Sequence, residues 1–390
     1  MQPSLDEVRN ILSASLSSPN PPNLVPLCVS LPAELLTPTA IYLKLAAKSV
    51  SHCKRYRQGD AHNANSSKTK LSFLFESAQT TETIARYSFV GIGLCVHFTY
   101  TSTCLRQNPD PRTVLKSGSG YGIGEKDPLP ALDAELAKYR VAAVPRLTLP
   151  PLIGGAVGYV GYDCVKYFEP RTKRPMKDVL KLPESMFMLF DTIVALDHFF
   201  QTIKVFTYLK VPDSLDDLET AYQEAREELY KIVTMIESGG VPEPPQEPIK
   251  LNQEYSSNIG QAGYEAHVTR LKEHICRGDI IQAVPSQRIA RPTSLHPFNI
   301  YRHLRRINPS PYLFFVECGD FQIVGASPEL LVKSEHGRII THPIAGTVKR
   351  GQDSLEDDRL AEELRNSLKD RSVLFLASLR SNCLTETMQS

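Results

Sequence analysis

Gly278-Asp279-Ile280-Ile281-Gln282-Ala283-Val284-Pro285-Ser286-Gln287-Arg288 opens the stretch that decides the fold. It runs on through Asn308-Pro309-Ser310-Pro311-Tyr312, Ala326-Ser327-Pro328-Glu329 and Pro343-Ile344-Ala345-Gly346-Thr347. Just upstream, Tyr264, Val268, Leu271 and Ile275 recur at helical spacing, and Arg277-Gly278-Asp279 closes that helix. Ile280–Ile289 then reads as a strand, followed by strands at 312–317, 321–325, 330–334 and 338–342. Asp357–Leu368 reads as a charged amphipathic helix. Strands and helices mix without strict βαβ alternation. That predicts an α+β fold, with mixed or antiparallel sheets flanked by helices.

Working toward the N-terminus, residues 1–22 suggest a short helix and a Ser/Pro/Asn-rich spacer. Leu24–Leu45 begins as a strand and turns helical after Thr37-Pro38, with Thr37 as N-cap. Leu71–Ser77 is a compact apolar strand, and residues 87–100 give two strands around Gly91-Ile92-Gly93. Residues 51–69 read as an exposed insertion and 105–128 as loop. Phe187–Val194 and Ile203–Tyr208 are β-branched and aromatic, hence strands. Leu218, Tyr222, Ala225, Leu229, Ile232 and Ile236 mark a helix that Gly239-Gly240 ends. The expected division is an N-terminal domain over 1–240, a stiff proline-rich linker over 241–253 and a second domain over 254–371. Residues 372–390 form a tail.

The chain has 390 residues, 42% of them hydrophobic, and a formal net charge of +1. That is ample for a core, and it gives no electrostatic case for nucleic acid or an anionic membrane. The 8 cysteines contain no C-x-x-C pair, so neither a zinc site nor a dithiol motif is visible. Cys164, Cys276 and Cys318 read as small buried hydrophobes, and a reducing compartment follows. The N-terminus is acidic early and lacks an apolar signal region, so a cytoplasmic location is expected.

Three features invite chemistry, each with a plainer alternative. Gln282 lies mid-strand, where a polar residue on a solvated face is ordinary. Glu329 follows Ser327-Pro328, where a carboxylate often caps a turn. The glycines of Ile153-Gly154-Gly155-Ala156-Val157-Gly158-Tyr159-Val160-Gly161 lack the G-K-[ST] ending of a phosphate loop. They fit close backbone packing in a buried strand better.

Taken together and in this order, the motifs from Gly278 to Gly351 resemble the chorismate-binding core of anthranilate synthase component I, a chorismate-utilising enzyme. Ile153 to Pro170 and Ser286-Gln287-Arg288 resemble its fungal branch, and the likeness runs from about Asn23 to Arg371. It implies catalytic roles for Glu329, Gln282 and Thr347, and substrate contacts from Ala345, Gly346 and Thr347. Glu329 would protonate the departing C4 hydroxyl of chorismate, a role that needs a raised pKa from partial burial. Gly346 and Thr347 would donate a backbone N–H and a hydroxyl to the substrate.

Two positions separate related chemistries within that resemblance. Relatives that add water at C2 carry Lys where this chain has Gln282, and Gln points to ammonia as the nucleophile. Aminodeoxychorismate synthases carry Lys in P-I-K-G-T, where this chain has Ala345, which cannot be a nucleophile. The reading is therefore conversion of chorismate and ammonia to anthranilate and pyruvate, the committed step toward tryptophan. Another chorismate enzyme, or a non-catalytic tryptophan binder, are the alternatives. The chain carries no glutaminase signature, so ammonia would come from glutamine through a separate glutamine amidotransferase subunit, component II. Phe73-Leu74-Phe75-Glu76-Ser77-Ala78 and Asn308–Leu313 resemble the two segments that bind tryptophan in feedback-inhibited members. The resemblance implies an effector pocket between the two halves, built from Glu76, Ser77, Pro311, Tyr312 and Leu313.

The likeness stops at about Arg371. There the family continues A-E-H-x-M-L-V-D-L, whose Glu is a magnesium ligand, with a catalytic His and further acidic ligands beyond. Ser372–Ser390 keeps none of these, and its only acid is Glu386. Mg2+ is thus implied by the family while its ligands are absent from this chain. The expectation is a chain truncated within its catalytic domain, with exposed strand edges and negligible anthranilate formation on its own.

Overall fold

In the computed structural model, the description covers residues 1–48, 71–77, 86–100 and 127–371, apart from 16, 146, 176, 336, 343, 345 and 369. For residues 47, 48 and 93–100 it covers the backbone alone. The expected insertion at 51–69, the tail at 372–390 and nearly all of the 105–128 loop lie outside the described residues.

Along the chain the elements are α1 (Leu5–Ser15), β1 (Leu24–Pro32), α2 (Pro38–Lys48), β2 (Leu71–Glu76), β3 (Tyr87–Tyr100), α3 (Leu129–Leu136) and β4 (Gly155–Val160). Then come α4 (Val165–Phe168), β5 (Ser185–Asp197), β6 (Thr202–Lys210), α5 (Leu218–Glu237), β7 (Ser256–Ser257), α6 (Gly260–Arg277), β8 (Ile289–Ala290) and α7 (Pro297–Ile307). The last are β9 (Tyr312–Cys318), β10 (Gln322–Ser327), β11 (Lys333–Glu335), β12 (Arg338–Ile340) and α8 (Ser354–Asn366). The chain divides into two compact units, Met1–Pro244 with Tyr301–Ala326, and Pro245–Ile300 with Ser327–Ser390.

The first unit is built on one sheet in the order β1-β6-β5-β3-β2-β9-β10, with β4 added to β5. The pairs β1–β6, β6–β5, β5–β3, β3–β2, β2–β9 and β4–β5 are antiparallel. Residues 87–100, expected as two strands, form the single long β3, and its register slips between Leu94 and Val96. Gly91 does not interrupt it because the missing side chain is filled from the next strand. A Cβ there would lie 2.0 Å from the Phe73 ring, which stands directly across in β2. Phe73, Val157, Met186, Met188, Phe190, Ile193, Val316 and Cys318 form a buried cluster.

Helices α2 and α5 pack together and against β1, β2, β3 and β6. The hydroxyl of Thr37 accepts the Ala40 N–H at 3.1 Å, the cap that its sequence position predicts. Helix α5 buries Leu218, Tyr222, Ala225, Leu229, Val233 and Ile236. Val233 takes the place expected for Ile232, a drift of the stripe that 3.6 residues per turn produces over a long helix. The carboxyl end of α5 is closed by Lys44, whose buried ammonium donates to the Ile236 and Ser238 carbonyls at 2.7 Å each. A cation there satisfies orphan carbonyls and opposes the helix dipole.

The glycine segment at 153–161 behaves as close backbone packing, although β4 is half-exposed rather than a buried strand. A Cβ on Gly158 would meet the Met186 carbonyl oxygen at 1.8 Å, and one on Gly161 the Glu184 carbonyl at 2.7 Å.

In the second unit, α6 ends at Gly278 with φ of +81°, the left-handed cap expected there. Ile280–Ile289, however, is not a strand. Only Ile289–Ala290 pairs, with Ser256–Ser257. Isolated apolar residues cannot make a strand without a neighbour to pair with, and Ile281 and Val284 are exposed instead. The proline-rich linker is exposed but pinned. The Gln246 amide oxygen accepts from His296 N at 3.1 Å and from Asn299 Nδ2 at 3.0 Å, and its Nε2 donates to Ser294 O at 3.0 Å. Strands β11 and β12 form a small antiparallel hairpin.

Candidate functional site

The motif residues fall into two groups, one in each unit. In the second unit, Glu329 follows β10 in an Ser-Pro turn where Ser327 Oγ donates to the Glu329 carbonyl at 3.2 Å. Its carboxylate Oε1 accepts the Ile344 N–H at 3.1 Å. The fold thereby brings Glu329 to the backbone that leads into Gly346 and Thr347. Glu329 is nevertheless exposed, not partly buried as its expected role requires.

Gly346 has φ of +80°, a conformation that glycine adopts without the Cβ clash other residues meet. A Cβ there would also collide with Asp370 Oδ1 at 2.4 Å. Gly346, Thr347 and Val348 line a cavity of about 520 Å³ together with Glu363, Leu364, Ser367 and Asp370 of the last helical stretch. Thr347 is exposed, and its hydroxyl makes no hydrogen bond among the described residues, so it is available to a ligand. Gln282 is exposed on the unpaired segment after α6. Ala345 lies outside the described residues.

The described residues do not fit a divalent cation. No three His, Cys, Asp or Glu side chains converge among them. The two acids lining the cavity are Glu363 and Asp370, and Glu363 is engaged by Arg359 at 2.5 Å. Two carboxylates, one of them neutralised, fall short of the oxygen set such an ion requires.

The second group lies in the first unit. Strand β2 ends at Glu76, which is paired across the ladder with Leu313 of β9. The two motif segments are therefore neighbouring strands of one sheet, because β9 completes the sheet of the first unit. Glu76 and Leu313 are buried, Ser77 and Pro311 half-buried, and Tyr312 exposed. Around Glu76 the structure adds residues that the motifs did not include. Tyr301 donates its hydroxyl to Glu76 Oε2 at 2.5 Å, and Arg305 Nη2 stands 3.3 Å from Oε1. Burial pushes the Glu76 carboxyl above the usual range, and Tyr301, Arg305 and Thr39 pull against that shift. The i, i+4 spacing of Tyr301 and Arg305 in a basic helix was the signal available in the sequence.

Free thiols at Cys28 and Cys164 are buried, and desolvation raises each to about 11, so neither is a ready nucleophile. Cys276, expected to be buried, is exposed on α6, whose residues are all at least partly exposed. No helix among the described residues is long and apolar enough to cross a membrane.

The profile of the chorismate binding enzyme family matches residues 72–374. Anthranilate synthase component 1 of Saccharomyces cerevisiae is 49% identical over 387 residues, 98% of this chain and 68% of that protein. A Schizosaccharomyces pombe protein described as "probable anthranilate synthase component 1" is 45% identical over 92% of this chain and 64% of its own length. The chain thus spans about two thirds of the length of these relatives. The crystal structure of anthranilate synthase component I from Streptococcus pneumoniae superposes with a TM-score of 0.56 at 24% identity, over 86% of this chain and 67% of that one. That likeness concerns the fold, an α+β arrangement of helices on an antiparallel sheet.

Proposed function

The chain belongs to the chorismate-binding enzymes, alongside anthranilate synthase component 1, and from that premise we propose that it serves the conversion of chorismate and ammonia to anthranilate and pyruvate. The observation that carries the reading is the link between Glu329 and the Gly346-Thr347 cavity, made by the Glu329–Ile344 hydrogen bond. It puts a carboxyl group, a positive-φ glycine and an exposed threonine hydroxyl on adjoining backbone.

In this reading ammonia adds at C2 of chorismate, and the C4 hydroxyl leaves as water with a proton from Glu329. The amino-deoxyisochorismate formed then loses pyruvate to give the aromatic ring. Gln282 in place of lysine suits a nucleophile that needs no deprotonation. The Gly346 N–H and Thr347 hydroxyl would hold a substrate carboxylate. Magnesium is the metal that the family implies. The described residues do not fit it. The partner in this reading is a glutaminase subunit that supplies ammonia, and a cytoplasmic location goes with the free thiols.

Tryptophan is the proposed effector, bound at Glu76, Ser77, Pro311, Tyr312 and Leu313. The pairing of Glu76 with Leu313 supports this, since it makes one site of two distant segments.

The test is a product analysis with chorismate and ammonium, and separately with glutamine and the glutaminase subunit, each with and without magnesium. Any product formed is expected to be anthranilate and pyruvate in equal amounts, with only a trace from this chain alone. Isochorismate or aminodeoxychorismate as product would overturn the reaction assignment.

A further inference from the structure

Glu76 is 5% exposed, and both its carboxylate oxygens already have partners. The partners come from one face of α7, Tyr301 on Oε2 and Arg305 on Oε1. The surroundings are largely aromatic. Tyr301 packs edge-on against Phe315 at 6.1 Å between ring centres, and Tyr42 packs against the same ring at 5.6 Å. Thr39 Oγ1, at the start of α2, is buried without a well-formed hydrogen bond, yet it lies close enough to favour the ionised carboxylate. A lone carboxylate in such a place is costly unless a cation accompanies it.

Arg305 is that cation, and it differs from Tyr301 in one respect. Tyr301 is fully buried, whereas the Arg305 side chain is 46% exposed. Arg305 can swing into water, where a guanidinium is well solvated, while Tyr301 keeps its bond to Oε2. A ligand ammonium can then take the place of the guanidinium on Oε1, with the charge of the site unchanged.

Resting on the reading of this site as one for an amino-acid effector, we infer that Arg305 is a built-in competitor for the effector's ammonium group. Binding must displace Arg305 from Glu76. The displacement has a direct route onward, because α7 ends at Ile307 and the chain continues through Pro309-Ser310-Pro311 into β9. The free protein is thereby held in one arrangement of that segment, and the effector selects another. The competitor also lowers effector affinity, since part of the binding energy goes into breaking the ion pair.

The test is calorimetry on the full chain with L-tryptophan and with indole-3-propionate, which keeps the indole and carboxylate but lacks the ammonium. Arg305→Gln is expected to tighten tryptophan binding roughly 5- to 30-fold, the worth of one partly buried charged hydrogen bond. It should leave indole-3-propionate unchanged. Tryptophan affinity that is unchanged or weaker in Arg305→Gln overturns the inference while leaving the effector reading intact, and so does equal tightening of both ligands. No tryptophan binding by either protein overturns the effector reading and the competition with it. A double-mutant cycle of Glu76→Gln and Arg305→Gln on thermal stability is expected to show coupling, and zero coupling overturns the ion pair itself. Should Arg305→Gln not fold, the wild-type protein labelled with 15N-arginine reads the same event. The Arg305 Nε–H signal, assigned by its loss in Arg305→Lys, should move and exchange faster with water on saturation with tryptophan. An unmoved signal overturns the displacement.

Discussion

Glu76 and Leu313 stand directly opposite each other in the antiparallel ladder of β2 and β9. The contact has a consequence for stability because the carboxylate is buried beside an aliphatic side chain and relies on α7 for its donors.

The Glu76 carboxyl titrates above its ordinary range, chiefly through burial. The folded protein therefore holds this proton where the unfolded chain has released it. Stability falls as pH rises from the ordinary carboxylate range through the folded value, and is level above it. Glu76→Gln cannot titrate. The melting temperature of the wild type relative to this variant should fall across that window. A difference independent of pH would contradict the assignment.

Asp197 presents the opposite sign. Burial acts to raise its pKa, but Arg86 at 3.1 Å and the N–H groups of Phe199 and Phe200 outweigh it, so the carboxyl lies low. The stabilisation is present above the ordinary carboxylate range and is lost as pH falls through the folded value. Asp197→Asn should cost about 1–3 kcal/mol at pH 7, the worth of hydrogen bonds to a charged acceptor. Denaturant titrations should show the gap closing in acid.

Gly91 faces Phe73 so closely that even a methyl group must move the ring. Gly91→Ala should destabilise the first unit by about 1–3 kcal/mol, as overpacking does. Truncation of the ring in a Gly91→Ala, Phe73→Leu double variant should recover part of the loss in the same melting experiment.

Glu329 is exposed and serves structure through one backbone hydrogen bond, which an amide oxygen can also accept. Glu329→Gln should therefore fold normally. In any assay that yields anthranilate, it should lower kcat by about 10²- to 10⁴-fold, the usual range for loss of a general acid. Unchanged turnover would remove Glu329 from the proposed proton transfer.

The α+β class and most elements of the first unit were legible in the sequence. Its strands alternate or run apolar, and Leu218 to Ile236 carries a clean helical stripe. The Thr37 cap and the Gly278 left-handed end follow from side-chain chemistry within one turn of chain, so local sequence suffices for them. The expected strand at Ile280–Ile289 failed because strand formation depends on a pairing partner, which no local pattern encodes.

The identity of the candidate site residues was likewise set by the sequence, since Gln282, Glu329 and the Gly346-Thr347 pair are recognisable by type and order. Only the tertiary structure decided that β9 joins β2 in the first unit, that Glu329 meets the Ile344 N–H, and that Glu76 is enclosed by Tyr301 and Arg305. Local sequence fixes what a segment can form and which groups it can offer. Burial and distance between remote residues arise from the register of the sheet and the seating of a helix on it, which depend on the whole unit packing at once.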